Sequence, residues 1–204
     1  MAFQQSLDVP IFGCAIDWET SGYRAPANKS ASYADVHQGL SFGAKVINMR
    51  TFEVAEELYL EIQYNPKYTW DEGAARVHGL TKERLSNGVT QEEAAVALAN
   101  MIIKYFGTSE VILIGHRVYF DRDYTDQLFE TIDIKMQWHP TLIDVSAISS
   151  IFLEMSKSED IFQLLGMPPR KAHNAMEDIT MSVEVLRILK SYLMAGLMSE
   201  LSTE

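Results

Sequence analysis

The first strong pattern in the chain is the apolar run Val9-Pro10-Ile11-Phe12-Gly13-Cys14-Ala15-Ile16, which ends in Asp17-Trp18-Glu19. A run of this length bounded by turn residues predicts a buried β-strand. Side chains alternate along a strand, so Asp17 and Glu19 point to one side and Trp18 to the other. Residues 40–49 and 57–64 predict two more strands around a turn at Arg50-Thr51, the second marked by the alternation Leu58, Leu60, Ile62. Three strands in succession predict an antiparallel meander. After mixed loop and short helix over 66–87, Thr90 with Glu93 three residues later forms a capping box. Ala94, Leu98, Met101, Ile102 and Tyr105 form the buried stripe of the helix it opens, and Gly107 stops it. Val111-Ile112-Leu113-Ile114 reads as a short central strand. A helix over about 120–131, a fifth strand over 141–145, and a mostly helical remainder broken at Pro168-Pro169 complete the pattern. The last helix starts near Asn174 and runs to about Leu193 or beyond. The order implies one α/β layered domain over residues 1–204 with a mixed five-stranded sheet.

Helical spacing sorts the later acids. Asp121, Tyr124, Thr125 and Leu128 fall at i, i+3, i+4 and i+7, so Asp121 shares the apolar face while Asp123 and Asp126 point elsewhere. Asp121 also opens a helix just after a central strand, where ligand sites form in α/β sheets. In the last helix Asn174 reads as N-cap with Glu177 as its capping partner. Asp178 lies at the edge of the stripe Ala175, Ile179, Leu186, Leu189, Leu193, and His173 sits just before the helix, where a histidine can act as acid or base. Two carboxylates side by side at the end of a buried strand repel each other and lose hydration, and a divalent cation is the usual compensation. The competing reading is a strand that ends in solvent with two hydrated acids.

Composition narrows the class. The chain has 204 residues, 47% apolar and 22% charged, enough for one full core. It shows no run long enough to span a bilayer and no basic-then-apolar leader, so no membrane partner is expected. Cys14 is the single cysteine and lies inside the first strand, which leaves no internal disulfide and suits a cytoplasmic protein. The net charge of −11, from 17 basic and 28 acidic residues, argues against a protein that wraps duplex DNA. It permits a small cleft whose charge is reversed by metals and local arginines and lysines.

The joint order of these acids resembles the DEDDh family of 3′→5′ exonucleases, which includes the proofreading subunit of bacterial DNA polymerase III, ribonuclease T and oligoribonuclease. The matching segments are Ile16-Asp17-Trp18-Glu19-Thr20-Ser21-Gly22, Gly115-His116-Arg117-Val118-Tyr119-Phe120-Asp121 and Ala172-His173-Asn174-Ala175-Met176-Glu177-Asp178. Val77-His78-Gly79-Leu80-Thr81 looks like the His-Gly-Ile-Thr segment of the polymerase-associated branch. Three departures stand out: Arg117 where the family often has Asn, a longer connection from Gly22 to Leu40, and a shortened segment before Gly166.

The resemblance implies a ribonuclease H-like fold with a five-stranded mixed sheet flanked by helices. It implies that Asp17, Glu19, Asp121 and Asp178 hold two Mg²⁺ or Mn²⁺ ions and that His173 is the general base. The product implied is a nucleoside 5′-monophosphate. Trp18, Thr20, His78, Arg117 and Tyr124 are the candidate substrate contacts, with Phe120 a further ring and Arg122, Arg170 and Lys171 further cations near the motifs. The expected partner is a single-stranded nucleic acid 3′ end, with DNA favoured over RNA by the His-Gly-Leu-Thr segment. The alternatives are an exoribonuclease or oligoribonuclease acting on short RNA, and a non-catalytic binding or adaptor module that uses the polar segment 23–37. A polymerase partner in trans and a homodimer both remain open.

Overall fold

The computed structural model describes residues 10–23, 32–169 and 173–201, without side chains at 197–201. The start of the chain, most of the 23–37 connection, Arg170 and Lys171 therefore lie outside the described residues.

The expected meander forms from β1 (Phe12–Thr20), β2 (Gly39–Asn48) and β3 (Val54–Glu61). β1 pairs antiparallel with β2, and β2 antiparallel with β3. Two parallel strands, β4 (Leu113–Gly115) and β5 (Ile143–Asp144), extend the sheet beyond β1, giving the order β3-β2-β1-β4-β5. β1 is thus the central strand, which explains its unbroken apolar character. The five-stranded mixed α/β architecture read from the sequence is the observed one.

Alternation along β1 divides the core. Cys14, Ile16 and Trp18 face a cluster with α3 (Gln91–Phe106) and α4 (Val118–Glu130). Ala15 faces the opposite cluster, with α5 (Val145–Phe152), α6 (Ser158–Leu164) and α7 (Ala175–Leu201). Asp17 and Glu19 have the parity of Ala15, so they emerge on the α7 side. Two short helices, α1 (Glu72–His78) and α2 (Lys82–Leu85), occupy the region expected to be mixed loop and helix.

Thr90 caps α3 as expected, its hydroxyl accepting from Glu93 N at 3.1 Å and the Glu93 carboxylate accepting from Thr90 N at 2.8 Å. Such a cap contributes about 1 kcal/mol. β3 begins and ends three residues earlier than its alternation suggested. It is an edge strand, and Val54-Ala55-Glu56 joins it with no alternation to mark it, while Ile62 leaves to bridge Val89. The fifth strand contracts to two residues because Asp144 turns at once into the N-cap of α5. α4 starts two residues earlier than expected, at Val118.

Candidate active site

Four elements converge beyond the C-terminal end of β1. Gly43 of β2 pairs with Asp17, and a Cβ at Gly43 would lie 2.6 Å from the backbone of Met176. Only glycine lets the start of α7 rest directly on the sheet there. That contact carries Asp178 to the acids of β1. Asn174 caps α7, its side-chain oxygen accepting from Met176 N at 3.1 Å and Glu177 N at 3.2 Å. Carboxylate oxygens of Asp17, Glu19 and Asp178 all lie within 4.8 Å of one another. Asp178 is 8% exposed and the other two are half-buried.

Asp121 approaches from the start of α4. Its Oδ1 accepts from Trp18 N at 3.2 Å, tying α4 to the backbone between the two β1 acids. The side chain is 2% exposed, and Oδ2 is buried without a hydrogen-bond partner among the described residues. Burial pushes the Asp121 carboxyl well above the usual carboxylate range, and the negative charges of Asp144 and Glu19 push it the same way against the Trp18 amide. Room for this carboxyl depends on Gly115, where a Cβ would come within 2.8 Å of Oδ2. A buried acid with one oxygen unpartnered, beside three clustered carboxylates, fits a site for hard divalent cations held by oxygen ligands. Asp17, Glu19 and Asp178 supply the cluster, and Asp121 faces its inner wall.

His173 stands over the cluster. Its Nδ1 is 3.4 Å from Asp178 Oδ2 and its Nε2 is 3.4 Å from Glu159 Oε1. The ring is 41% exposed, so water and substrate can reach it. A cavity of about 150 Å³ joins these groups to His116 and Ser158. His116 donates from Nε2 to Ser156 O at 3.0 Å, since the carbonyl can only accept. Burial holds its pKa below the usual imidazole value. The sequence reading missed Glu159 and His116. His116 carried a signal, its place in the motif after β4; Glu159 carried none, being one acid on a short helix.

The other sequence candidates divide by burial. Trp18 is 5% exposed, donates from its indole to Thr125 Oγ1 at 3.0 Å and lies against Phe42 and Tyr124. Tyr124 is fully buried. Their places on the β1 and α4 core faces bury both rings, although Trp18 also lines the candidate cavity. His78 Nδ1 accepts from Leu80 N at 3.0 Å, so Nε2 carries the proton and donates to Thr20 O at 3.2 Å. Burial lowers its pKa, the Thr20 carbonyl opposes this, and the nearby His173 lowers it further. His78 is therefore a neutral clip on the end of β1. Thr20 is also buried, donating to Gly22 O at 2.9 Å. Arg117 is exposed, with φ +62° and ψ +50°, and its N–H donates to Asp144 Oδ1 at 3.2 Å.

Among the described residues no helix is long and apolar enough to cross a membrane. The family model of the exonucleases termed RNase_T matches residues 14–186. A search of curated protein sequences finds no significant match. Among solved structures, the nuclease domain of 3′hExo, a DEDDh family member bound to rAMP, is similar with TM-score 0.70 at 14% identity, over 90% of this chain and 94% of that one. Exonuclease I is similar with TM-score 0.70 at 16% identity, over 88% of this chain but 41% of that one. E. coli exonuclease I in complex with a dT13 oligonucleotide gives TM-score 0.69 at 15% identity, again over 88% and 41%. The chain belongs to the RNase_T exonuclease family and carries the ribonuclease H-like fold of DEDDh nucleases.

Proposed function

We propose that the protein is a metal-dependent 3′→5′ exonuclease that releases nucleoside 5′-monophosphates from the 3′ ends of single-stranded DNA, the chain acting as one exonuclease domain. The observation that carries the reading is the convergence of Asp17, Glu19 and Asp178 within 4.8 Å, backed by buried Asp121 and faced by His173. The family match supports the hydrolytic nuclease chemistry. Bound Mg²⁺ or Mn²⁺ supplies the positive charge that lets an anionic phosphodiester enter a cleft of carboxylates and be attacked.

The chain's own groups do the rest. Asp17, Glu19 and Asp178, with Asp121 behind them, would hold the cations through their carboxylate oxygens. Asp178 orients the His173 ring through Nδ1, and Nε2 takes the proton of the attacking water while Glu159 stabilises the imidazolium. The water oxygen bonds to phosphorus, the P–O3′ bond breaks, and the departing O3′ takes a proton from solvent while His173 later returns its proton to solvent. The shortened strand keeps a 3′-hydroxyl and the released nucleoside carries the 5′-phosphate.

The same fold is seen with rAMP in 3′hExo and with dT13 in exonuclease I, so the test uses both sugars. Single-stranded DNA and RNA of one sequence, labelled at the 5′ end, are incubated with the protein in Mg²⁺, in Mn²⁺ and in EDTA. A ladder shortening from the 3′ end, 5′-monophosphate products, faster loss of DNA and arrest by EDTA are expected. Faster loss of RNA would replace DNA by RNA as substrate, and full activity after rigorous chelation would overturn the metal mechanism.

A further inference from the structure

We infer that Arg117, Tyr119 and Arg122 form a docking ledge for the strand 5′ of the scissile bond, and that this ledge serves no more than about two nucleotides. The inference rests on the exonuclease reading above. His116 lines the catalytic cavity, and Arg117, the next residue, is exposed. Two residues on, Tyr119 is 59% exposed, the most open ring on α4. The Arg122 guanidinium lies 5.1 Å from its centroid. A guanidinium stacked on one side of an exposed phenol leaves a flat π-surface and two cations along one path. Bases stack on such rings with little regard to sequence, and arginines hold the backbone phosphates.

The far end of the ledge is set by charge. Arg122 is followed at once by Asp123, 3.3 Å from its guanidinium. Asp123, Asp126 and Glu130 then line a separate cavity of about 460 Å³ together with Asp35. A phosphate moved along α4 past Arg122 meets four carboxylates against one cation, Lys67, and the net charge of −11 adds no attraction at longer range. Five residues of helix advance about 7.5 Å. At about 3.4 Å per phosphate along a stacked strand, that is room for two phosphates. The protein is thus built to grip short ends, and length beyond them brings no further contact on this face.

The test compares deoxyoligonucleotides of 2, 4, 6 and 12 residues with the p-nitrophenyl ester of thymidine 5′-monophosphate, which fills the catalytic cavity and has no strand on the ledge. For the wild type, kcat/KM is expected to rise from the ester to the tetranucleotide and to change less than about twofold from 4 to 12 residues. Tyr119→Ala is expected to lower the tetranucleotide-to-ester ratio of kcat/KM roughly five- to tenfold. Arg122→Gln is expected to flatten the slope of log KM against log salt for the tetranucleotide by about 0.7, one phosphate contact. A kcat/KM that keeps climbing to 12 residues, or ratios and slopes equal to wild type in both variants, overturns the ledge and leaves the nuclease reading standing. A wild type that hydrolyses neither the ester nor the oligonucleotides removes the nuclease reading, and the ledge with it.

Discussion

α4 separates two acidic hollows, and the smaller one is the candidate active site. On its outer side Asp35, Asp123, Asp126 and Glu130, with Lys67, line about 460 Å³; on its inner side Asp17, Glu19 and Asp178, with His116 and His173, line about 150 Å³. Three of the four outer acids are already in use as structure. Asp35 accepts from Ser32 N at 2.7 Å in a capping box, Asp123 from Ser32 Oγ at 2.8 Å, and Asp126 from the Trp138 indole at 2.8 Å. The inner group includes Asp121, whose Oδ2 is buried with no hydrogen bond among the described residues. Leaving an ionised oxygen buried in that way is expensive unless a cation compensates or the acid takes a proton. Neither the number of acids nor the volume of the hollow marks the site; the buried Asp121 oxygen without a hydrogen bond among the described residues, set beside the clustered acids, does.

Removing acids one by one from each side of α4 is the sharpest way to break this comparison. Asp17→Ala and Asp178→Ala are expected to cut exonuclease turnover by at least about three orders of magnitude, since both remove oxygen ligands and the charge stabilisation they support. Asp123→Ala and Asp126→Ala are expected to change turnover by less than about threefold, with loss of a few tenths to about 1.5 kcal/mol of stability from the broken hydrogen bonds. Steady-state rates on a labelled oligonucleotide, with circular dichroism to confirm folding, decide it. Outer variants as inactive as inner ones would dissolve the distinction between the hollows.

Much of this distinction was legible in the sequence, for a simple reason. Strand alternation places Asp17 and Glu19 opposite Trp18, and helical spacing separates Asp121 from Asp123 and Asp126; both are local rules, and the observed burial follows them. The caps at Thr90 and Asn174 were legible on the same grounds. The approach of α7 to β2 was not, because nothing near Gly43 in sequence reveals that the backbone of Met176 will occupy the space of its missing Cβ. The burial of Trp18 and Tyr124 was not legible, because aromatic side chains near a motif serve a core as well as a binding site, and only tertiary packing distinguishes the two. Glu159 reaches His173 through a loop–helix arrangement that no periodicity encodes.

The histidine gives a second, smaller contrast inside the inner hollow. His173→Ala is expected to lower kcat by about 10²–10⁴ with little change in substrate affinity, as for loss of a general base. Glu159→Gln is expected to lower kcat by no more than about tenfold, because it removes a neighbour of the base and leaves the base. Measuring kcat from rates at saturating substrate and Kd by titration with an oligonucleotide in Ca²⁺ separates the two parameters. Parallel losses of kcat and affinity in His173→Ala would move His173 from proton transfer to substrate binding.

The smallest effect tests the origin of the inner site's distinctness. The folded-state pKa of Asp121 is raised, by burial first and then by Asp144 and Glu19. An acid of this kind stabilises the fold fully below its unfolded pKa, near 3.9. That contribution is lost as pH rises through the elevated folded value, because the folded chain must then carry the buried charge. In EDTA the wild-type Tm should therefore fall as pH rises from the ordinary carboxylate range through that higher value. Asp121→Asn, neutral at every pH, should lack this component and melt about 2–4 °C higher at the alkaline end, the shift that about 1 kcal/mol produces in a chain of this size. Mg²⁺ should narrow the gap by stabilising the ionised wild type, while Asp121→Asn loses turnover. Equal pH profiles for wild type and variant in EDTA would mean that the Asp121 carboxyl is compensated within the protein, as the outer acids are, and that uncompensated burial is not what sets the inner hollow apart.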